Sequence, residues 1–163
     1  MARALIVGCG CSGRELGAEL VKRGWQVRGT SRAPAGLEAI EAAGLEAVAA
    51  DPDRPGTILE LCVDVAAVVW LLGSAAGEQE NLEAINGPRL ERLLEKLVDT
   101  PVRGFAYEAV GSATAAQLKR GSEIVKRAGE TWHIPVTTLG LERSTAGWAR
   151  DAAGAVERLL AAD

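Results

Sequence analysis

Six residues, Gly8-Cys9-Gly10-Cys11-Ser12-Gly13, constrain this chain more than any other stretch. They follow directly on the apolar run Ala4-Leu5-Ile6-Val7 and lead into Ser12–Arg23, where Leu16, Leu20 and Val21 recur on one helical face. The pattern predicts a buried strand, a glycine turn and an amphipathic helix stopped at Gly24. Gly8 permits the tight turn. Gly10 leaves the backbone bare for close approach of another molecule, and Gly13 lets the helix pack against the strand it has just left. The start of such a helix carries free N–H groups and the positive end of the dipole, and so suits an anion.

The rest of the chain repeats the alternation of strand and helix. Strands are expected at Gln26–Ser31, Glu46–Ala50, Ala66–Leu72, Val102–Tyr107 and Pro135–Leu139. Between and after them come helices at Ala35–Ala43, Thr57–Cys62, Glu80–Ile85, Arg89–Val98, Thr114–Gly129 and Trp148–Ala161, with a break at Gly87-Pro88. Strands that alternate with helices make right-handed βαβ units and a parallel sheet. The continuous apolar strands at 4–7 and 66–72 fit a sheet covered on both faces. The expected fold is therefore α/β: a Rossmann-type doubly wound parallel sheet of about six strands in the order 3-2-1-4-5-6. Its crevice should lie over the first and fourth strands. One domain is expected over residues 1–163.

Composition narrows the function classes. With 48% hydrophobic residues, 25% charged residues and a net charge of -4, the chain can fill a core and has no general basic face for nucleic acid. No run reaches the roughly 18–20 apolar residues that span a bilayer, and the four apolar residues at the start are too short for a signal-peptide core. A cytoplasmic protein is expected, not membrane-bound, acting on a small molecule; a homodimer is left open. Three cysteines, two of them in a Cys-x-Cys, make neither a disulfide framework nor, with the distant His133, a zinc site.

The glycine loop in this setting reads as a dinucleotide pyrophosphate cradle. The end of the second strand then selects the dinucleotide. NAD sites usually place Asp or Glu there, whereas this chain has Gly29-Thr30-Ser31-Arg32. Arg32 suits a 2′-phosphate, Thr30 and Ser31 can donate to it, and Arg14 adds charge from the helix start. NADP is therefore expected over NAD.

The runs Leu5-Ile6-Val7-Gly8-Cys9-Gly10, Leu16-Gly17-Ala18-Glu19-Leu20 and Arg23-Gly24-Trp25-Gln26-Val27-Arg28-Gly29-Thr30-Ser31-Arg32 resemble the atypical or extended short-chain dehydrogenase/reductases. Within them, the resemblance is to the NAD(P)-dependent epimerase/dehydratase-like branch. It continues through Ala50-Asp51-Pro52, Val69-Trp70-Leu71-Leu72-Gly73-Ser74, Pro135-Val136-Thr137-Thr138-Leu139-Gly140 and Trp148-Ala149-Arg150-Asp151-Ala152-Ala153. It implies a cofactor site made by Gly8, Gly10, Cys11, Ser12, Gly13, Thr30, Ser31 and Arg32. It also implies Asp51 near the adenine and Leu72 and Gly73 along the cofactor. The chain departs from the family where the family's Tyr-x-x-x-Lys should stand. Its single tyrosine, Tyr107, is followed four residues on by Gly111, and Lys119 and Lys126 have Ala115 and Ser122 at i-4. Only seven residues lie between Gly140 and Trp148, so the substrate lobe is reduced. The resemblance implies an NADP-dependent reductase; the departures favour a non-catalytic redox sensor or partner subunit.

Tyr107 and Glu108 end the fifth strand at the edge where α/β folds place chemistry, which makes Tyr107 the candidate proton donor, or else a ring capping the sheet. Cys9 and Cys11 stand either as thiols gating the phosphate loop or as small fillers beside glycine. His133 is either a general acid or a surface residue.

Overall fold

The computed structural model describes residues 2–73 and 79–161. Ser74, which belongs to one of the runs quoted above, lies outside them. The elements in order are β1 (Arg3–Val7), α1 (Cys11–Lys22), β2 (Gln26–Ser31), α2 (Pro34–Ala42), β3 (Glu46–Ala49), α3 (Pro55–Leu59) and β4 (Ala67–Trp70). There follow α4 (Gln79–Ile85), α5 (Pro88–Leu97), β5 (Gly104–Glu108), α6 (Ala115–Trp132), β6 (Val136–Leu139) and α7 (Trp148–Ala161). The six strands form one sheet in the order β3-β2-β1-β4-β5-β6, and every pair is parallel. The expected Rossmann-type architecture and strand order are therefore observed.

The two-residue period of a strand divides the core into two halves. Ala4 and Ile6 of β1 and Ala67 and Val69 of β4 face one side, where they meet Leu16 and Leu20 of α1 and Trp148, Val156 and Leu159 of α7. Leu5 and Val7 with Val68 and Trp70 face the other side, against Ile58 of α3, Leu90, Leu93, Leu94 and Leu97 of α5, and Ile124 and Val125 of α6. β1 is buried from Ala4 to Val7 and β4 along its whole length, as a sheet covered on both faces requires.

Two elements, β4 and α6, differ from expectation at their ends. β4 ends at Trp70, two residues early. The Leu71 N–H still bonds the Val7 carbonyl, but the Leu71 carbonyl leaves the ladder and accepts from Arg143. α6 runs past Gly129 to Trp132. Gly129 is there because its backbone approaches β6 so closely that a Cβ would lie 2.9 Å from Val136. The stop is His133, which turns the chain at φ 56° in the left-handed region. The start of α6 is fixed by a capping box, in which the Thr114 hydroxyl accepts from the Gln117 N–H at 3.1 Å and the Gln117 side chain accepts from the Thr114 N–H at 3.0 Å. Of the tryptophans, Trp25, Trp70 and Trp148 are buried, whereas Trp132 lies on the surface.

Candidate cofactor site

A cleft of ≈ 370 Å³ opens at the C-terminal edge of the sheet, where β1, β2, β3 and β4 end. That is the topological switch point of a doubly wound sheet, because the chain leaves β1 toward β2 on one side and returns to β4 on the other. The cleft is walled by the loop after β1 (Gly8, Cys9, Gly10), by Arg14 and by the end of β2 (Thr30, Ser31, Arg32). Pro52 and Asp53 close it after β3, Leu71 and Leu72 after β4, and Asn81, Leu82 and Ile85 from α4.

The loop owes its shape to its glycines. Gly8 sits at φ +85°, and a Cβ there would lie 2.6 Å from the Leu71 carbonyl oxygen, so only glycine lets β1 turn against β4. Its N–H is held by the Thr30 hydroxyl at 3.3 Å, and the next N–H, of Cys9, by the Thr30 carbonyl at 3.1 Å. Gly10 is the N-cap of α1 and has no side chain to cap the first turn; a Cβ on it would meet nothing within 4 Å. The space in front of Gly10 is the cleft itself. Gly13 is buried, with a Cβ position 3.3 Å from the Cys9 sulfur and 3.4 Å from Ile6, which sets the close seat of α1 on β1.

Of the residues expected at a cofactor site, Gly8, Gly10, Thr30, Ser31, Arg32 and Leu72 line the cleft. Cys11 and Ser12 open α1 beside it, and Gly13 serves packing behind it. Asp51 is half-buried and engaged locally: its carboxylate accepts from the Asp53 N–H at 2.9 Å and its own N–H bonds the Thr57 hydroxyl at 3.0 Å. The wall at this point is Pro52 and Asp53 instead, with Asp53 steadied by Arg89, whose Nε bonds the Asp53 carbonyl at 2.9 Å. Gly73 lies beneath the surface, its N–H donating to Glu108 at 2.9 Å.

Among the described residues, neither Arg14 nor Arg32 has an ion-pair or hydrogen-bonding side-chain partner, and Arg32 is exposed. Ser31 is engaged locally, its hydroxyl accepting from the Ala33 N–H at 3.2 Å. The end of β2 thus presents a free guanidinium and no carboxylate.

The expectation of Tyr107 as a proton donor meets a contrary geometry. β5 pairs Tyr107 with Trp70 and Thr138, and this register turns the ring into the core between the sheet and α6. It is 0% exposed and absent from the cleft wall, and its hydroxyl donates to Asn86 Oδ1 at 2.6 Å. Gly121 makes room for the phenol, since a Cβ there would overlap the ring. Burial, with the neighbouring Glu108 charge, raises the Tyr107 pKa well above its ordinary value, so the phenol stays protonated. The reading of this ring as a structural residue is therefore the one the geometry favours. Tyr107→Phe leaves the buried Asn86 oxygen without its donor, and should cost about 1–3 kcal/mol of stability while changing nucleotide affinity less than about twofold. Urea unfolding and calorimetric titration of the same variant check both halves.

Cys9 is 3% exposed and packed against Gly29 and Gly13, and burial pushes its thiol up to about 11 despite the nearby Arg14. It is a filler, not a nucleophile. Cys11 is exposed, and all three cysteines are free. His133 lies at the opposite edge of the sheet, before β6. Lys119 and Lys126 are exposed on α6 beside shallow depressions, away from the cleft. No group of three or more metal-ligating side chains occurs among the described residues.

Arg143, which no sequence motif marks, stands in the segment between β6 and α7 and enters the cleft. Its Nε and Nη2 grip the two oxygens of Glu108 at 2.7 and 2.8 Å, and Nη2 also bonds the Leu71 carbonyl at 3.1 Å. Glu108 is 1% exposed and satisfied on every side, by Arg143 and by the Gly73 N–H. One ion pair thus ties the ends of β4 and β5 to the segment after β6. The only signal in the sequence was an arginine four residues beyond the sixth strand.

Comparison with known proteins agrees with this architecture. The UDP-glucuronic acid 4-epimerase of Bacillus cereus, in complex with NAD, aligns with a TM-score of 0.65 at 17% identity over 83% of this chain and 54% of its own. The Citrobacter sp. triphenylmethane reductase complexed with NADP(H) gives 0.63 at 17% identity, over 83% of this chain and 48% of that one. A short-chain dehydrogenase of Rhodopseudomonas palustris gives 0.67 at 12% identity over 93% and 89%. The chain spans about half the length of the epimerase and of the triphenylmethane reductase. At these identities the likeness is one of fold. No curated protein matches the sequence, and no helix among the described residues is long and apolar enough to cross a membrane. A family model described as NAD(P)H-binding matches residues 8–160, nearly the whole chain, and the protein belongs to that family.

Proposed function

We propose that this protein binds NADP(H) in preference to NAD(H) and acts as a small reductase. The observation that carries the preference is the free Arg32 at the end of β2, in a cleft wall where an NAD site would place a carboxylate. The residues fit the dinucleotide. Gly10 offers an unobstructed approach to the start of α1, and the uncapped first turn leaves N–H groups for a pyrophosphate. Arg14 adds a positive charge, and Arg32 stands at the adenosine end to meet a 2′-phosphate. Pro52 and Asp53 bound the adenine side, and Leu71 and Leu72 the nicotinamide side. When bound, the cofactor supplies hydride chemistry; the chain's own residues bind it, orient it and exclude water around it.

Arg32→Ala should weaken NADP by about 1.5–3 kcal/mol, the scale of a charge-assisted hydrogen bond, and leave NAD nearly unchanged. Calorimetric titration with both nucleotides checks this; equal losses would mean that Arg32 packs on the adenine. Mass spectrometry of nucleotide carried through purification tests the cofactor directly, and steady NADPH oxidation with quinones and aldehydes tests the reductase. A second reading, a dinucleotide-binding sensor or partner subunit without chemistry, is favoured by the burial of Tyr107, and NADPH binding with no oxidation across that panel would establish it.

A further inference from the structure

The cleft holds three arginines, and they differ in kind. Arg14 and Arg32 carry free charge at the phosphate and adenosine positions. Arg143 carries charge already matched by Glu108, so the pair is neutral as a unit. Three of its donor directions are spent, on the two Glu108 oxygens and the Leu71 carbonyl. Its Nη1 has no hydrogen-bond partner among the described residues, and its side chain retains 26% exposure on the cleft.

A buried carboxylate is costly, and such a pair adds little net stability compared with apolar residues of the same volume. What this one provides is a guanidinium held by three hydrogen bonds to rigid groups, a bidentate grip on a strand end and a backbone carbonyl beside Gly8, with Glu108 itself held by the Gly73 N–H. A donor fixed in this way loses little entropy when it meets a ligand. Its neutral setting suits an uncharged oxygen better than a second phosphate.

We infer that Arg143 anchors the nicotinamide half of the dinucleotide, with Nη1 donating to a neutral oxygen of that half, the carboxamide carbonyl or a ribose hydroxyl. Glu108 is the positioning residue that aims it. This rests on the NADP reading above and adds the residue that fixes the reactive end.

The test compares NADP with 2′,5′-ADP, which has the adenosine half and its 2′-phosphate but no nicotinamide. Arg143→Lys keeps a cation for Glu108 and removes the planar fork. Its Kd for NADP should rise about tenfold while its Kd for 2′,5′-ADP stays within about twofold of the parent, both by calorimetry. Glu108→Gln keeps an acceptor for the Gly73 N–H and loosens the aim, and should show the same selective loss in smaller measure. Equal losses for both nucleotides, or no loss for either, in variants whose thermal unfolding is unaltered would overturn the assignment. A parent that binds 2′,5′-ADP no better than 5′-AMP would overturn the NADP reading instead. The Arg143 assignment is then decided by the same variants with NAD and ADP-ribose.

Discussion

Gly10→Val eliminates measurable dinucleotide binding and leaves the fold standing. Both halves of this expected result come from one observation: a Cβ at position 10 meets no protein atom within 4 Å. The backbone there is extended, at φ -84° and ψ -154°, and its negative φ spares a side chain the left-handed strain. Its methyl groups enter the cleft at the mouth of α1, where a pyrophosphate has to approach the first-turn N–H groups. Steric exclusion from that position should raise the Kd for NADP by at least about 100-fold, or roughly 2.7 kcal/mol. The thermal midpoint should move by less than about 3 °C, the equivalent of under 1 kcal/mol in a chain of this size. Calorimetry and a thermal melt on one sample settle it. An unchanged Kd in the folded variant would remove the glycine loop from the binding site.

Arg143→Leu gives a large loss of stability. Unlike the lysine substitution, it strips the guanidinium from Glu108 and leaves a carboxylate at 1% exposure with the Gly73 N–H as its remaining donor. Breaking a buried pair in this way costs about 3–5 kcal/mol, mostly the penalty of the stranded charge. The midpoint of thermal unfolding should fall by on the order of 10 °C. The double variant Arg143→Leu, Glu108→Leu removes the stranded charge and should recover most of the loss, although Gly73 keeps an unpaired N–H. A single variant as stable as the parent would mean that Glu108 finds water or a proton without cost.

The fold was legible in the sequence because its signals are local. Apolar runs, helix faces and glycine stops placed every strand and helix to within a few residues; the alternation implied a parallel sheet, and the glycine loop after the first strand pointed to the Rossmann-type order. The shape of the glycine loop was legible for the same reason, since Gly8 and Gly13 are set by contacts within one βα unit and with the end of the neighbouring strand. The errors have a common cause. Tyr107 ends a strand at the ligand-facing edge, but which way its ring points depends on the pairing of β5 with β4, on Gly121 of α6 and on an acceptor from Asn86. None of these is visible from residue 107. Asp51 occupies the expected position after β3, yet its carboxylate closes a turn on Asp53, a competition that short acidic side chains commonly win locally. Arg143 was passed over because its partners, Glu108 and Leu71, are 35 and 72 residues away in the chain.

Those separations bear on the order in which the protein acquires its parts. α7 packs on α1, Trp148 and Val156 completing the hydrophobic face that Leu16 and Leu20 begin, and Arg143 reaches back to the turn beside Gly8. A growing chain emerges from the ribosome at about 5–20 residues per second, so the first helix waits roughly 6–30 s for the segment that covers it. Through that interval one apolar side of the sheet is open to water and to other chains. Nucleotide affinity should therefore arrive late, after residues 143–161 have docked, and ligand protection would serve as a readout of the last folding event. The same long-range closures, and the parallel pairing of the sheet, slow the final steps of folding. A nucleotide that binds only the closed form would draw the equilibrium toward completion by mass action.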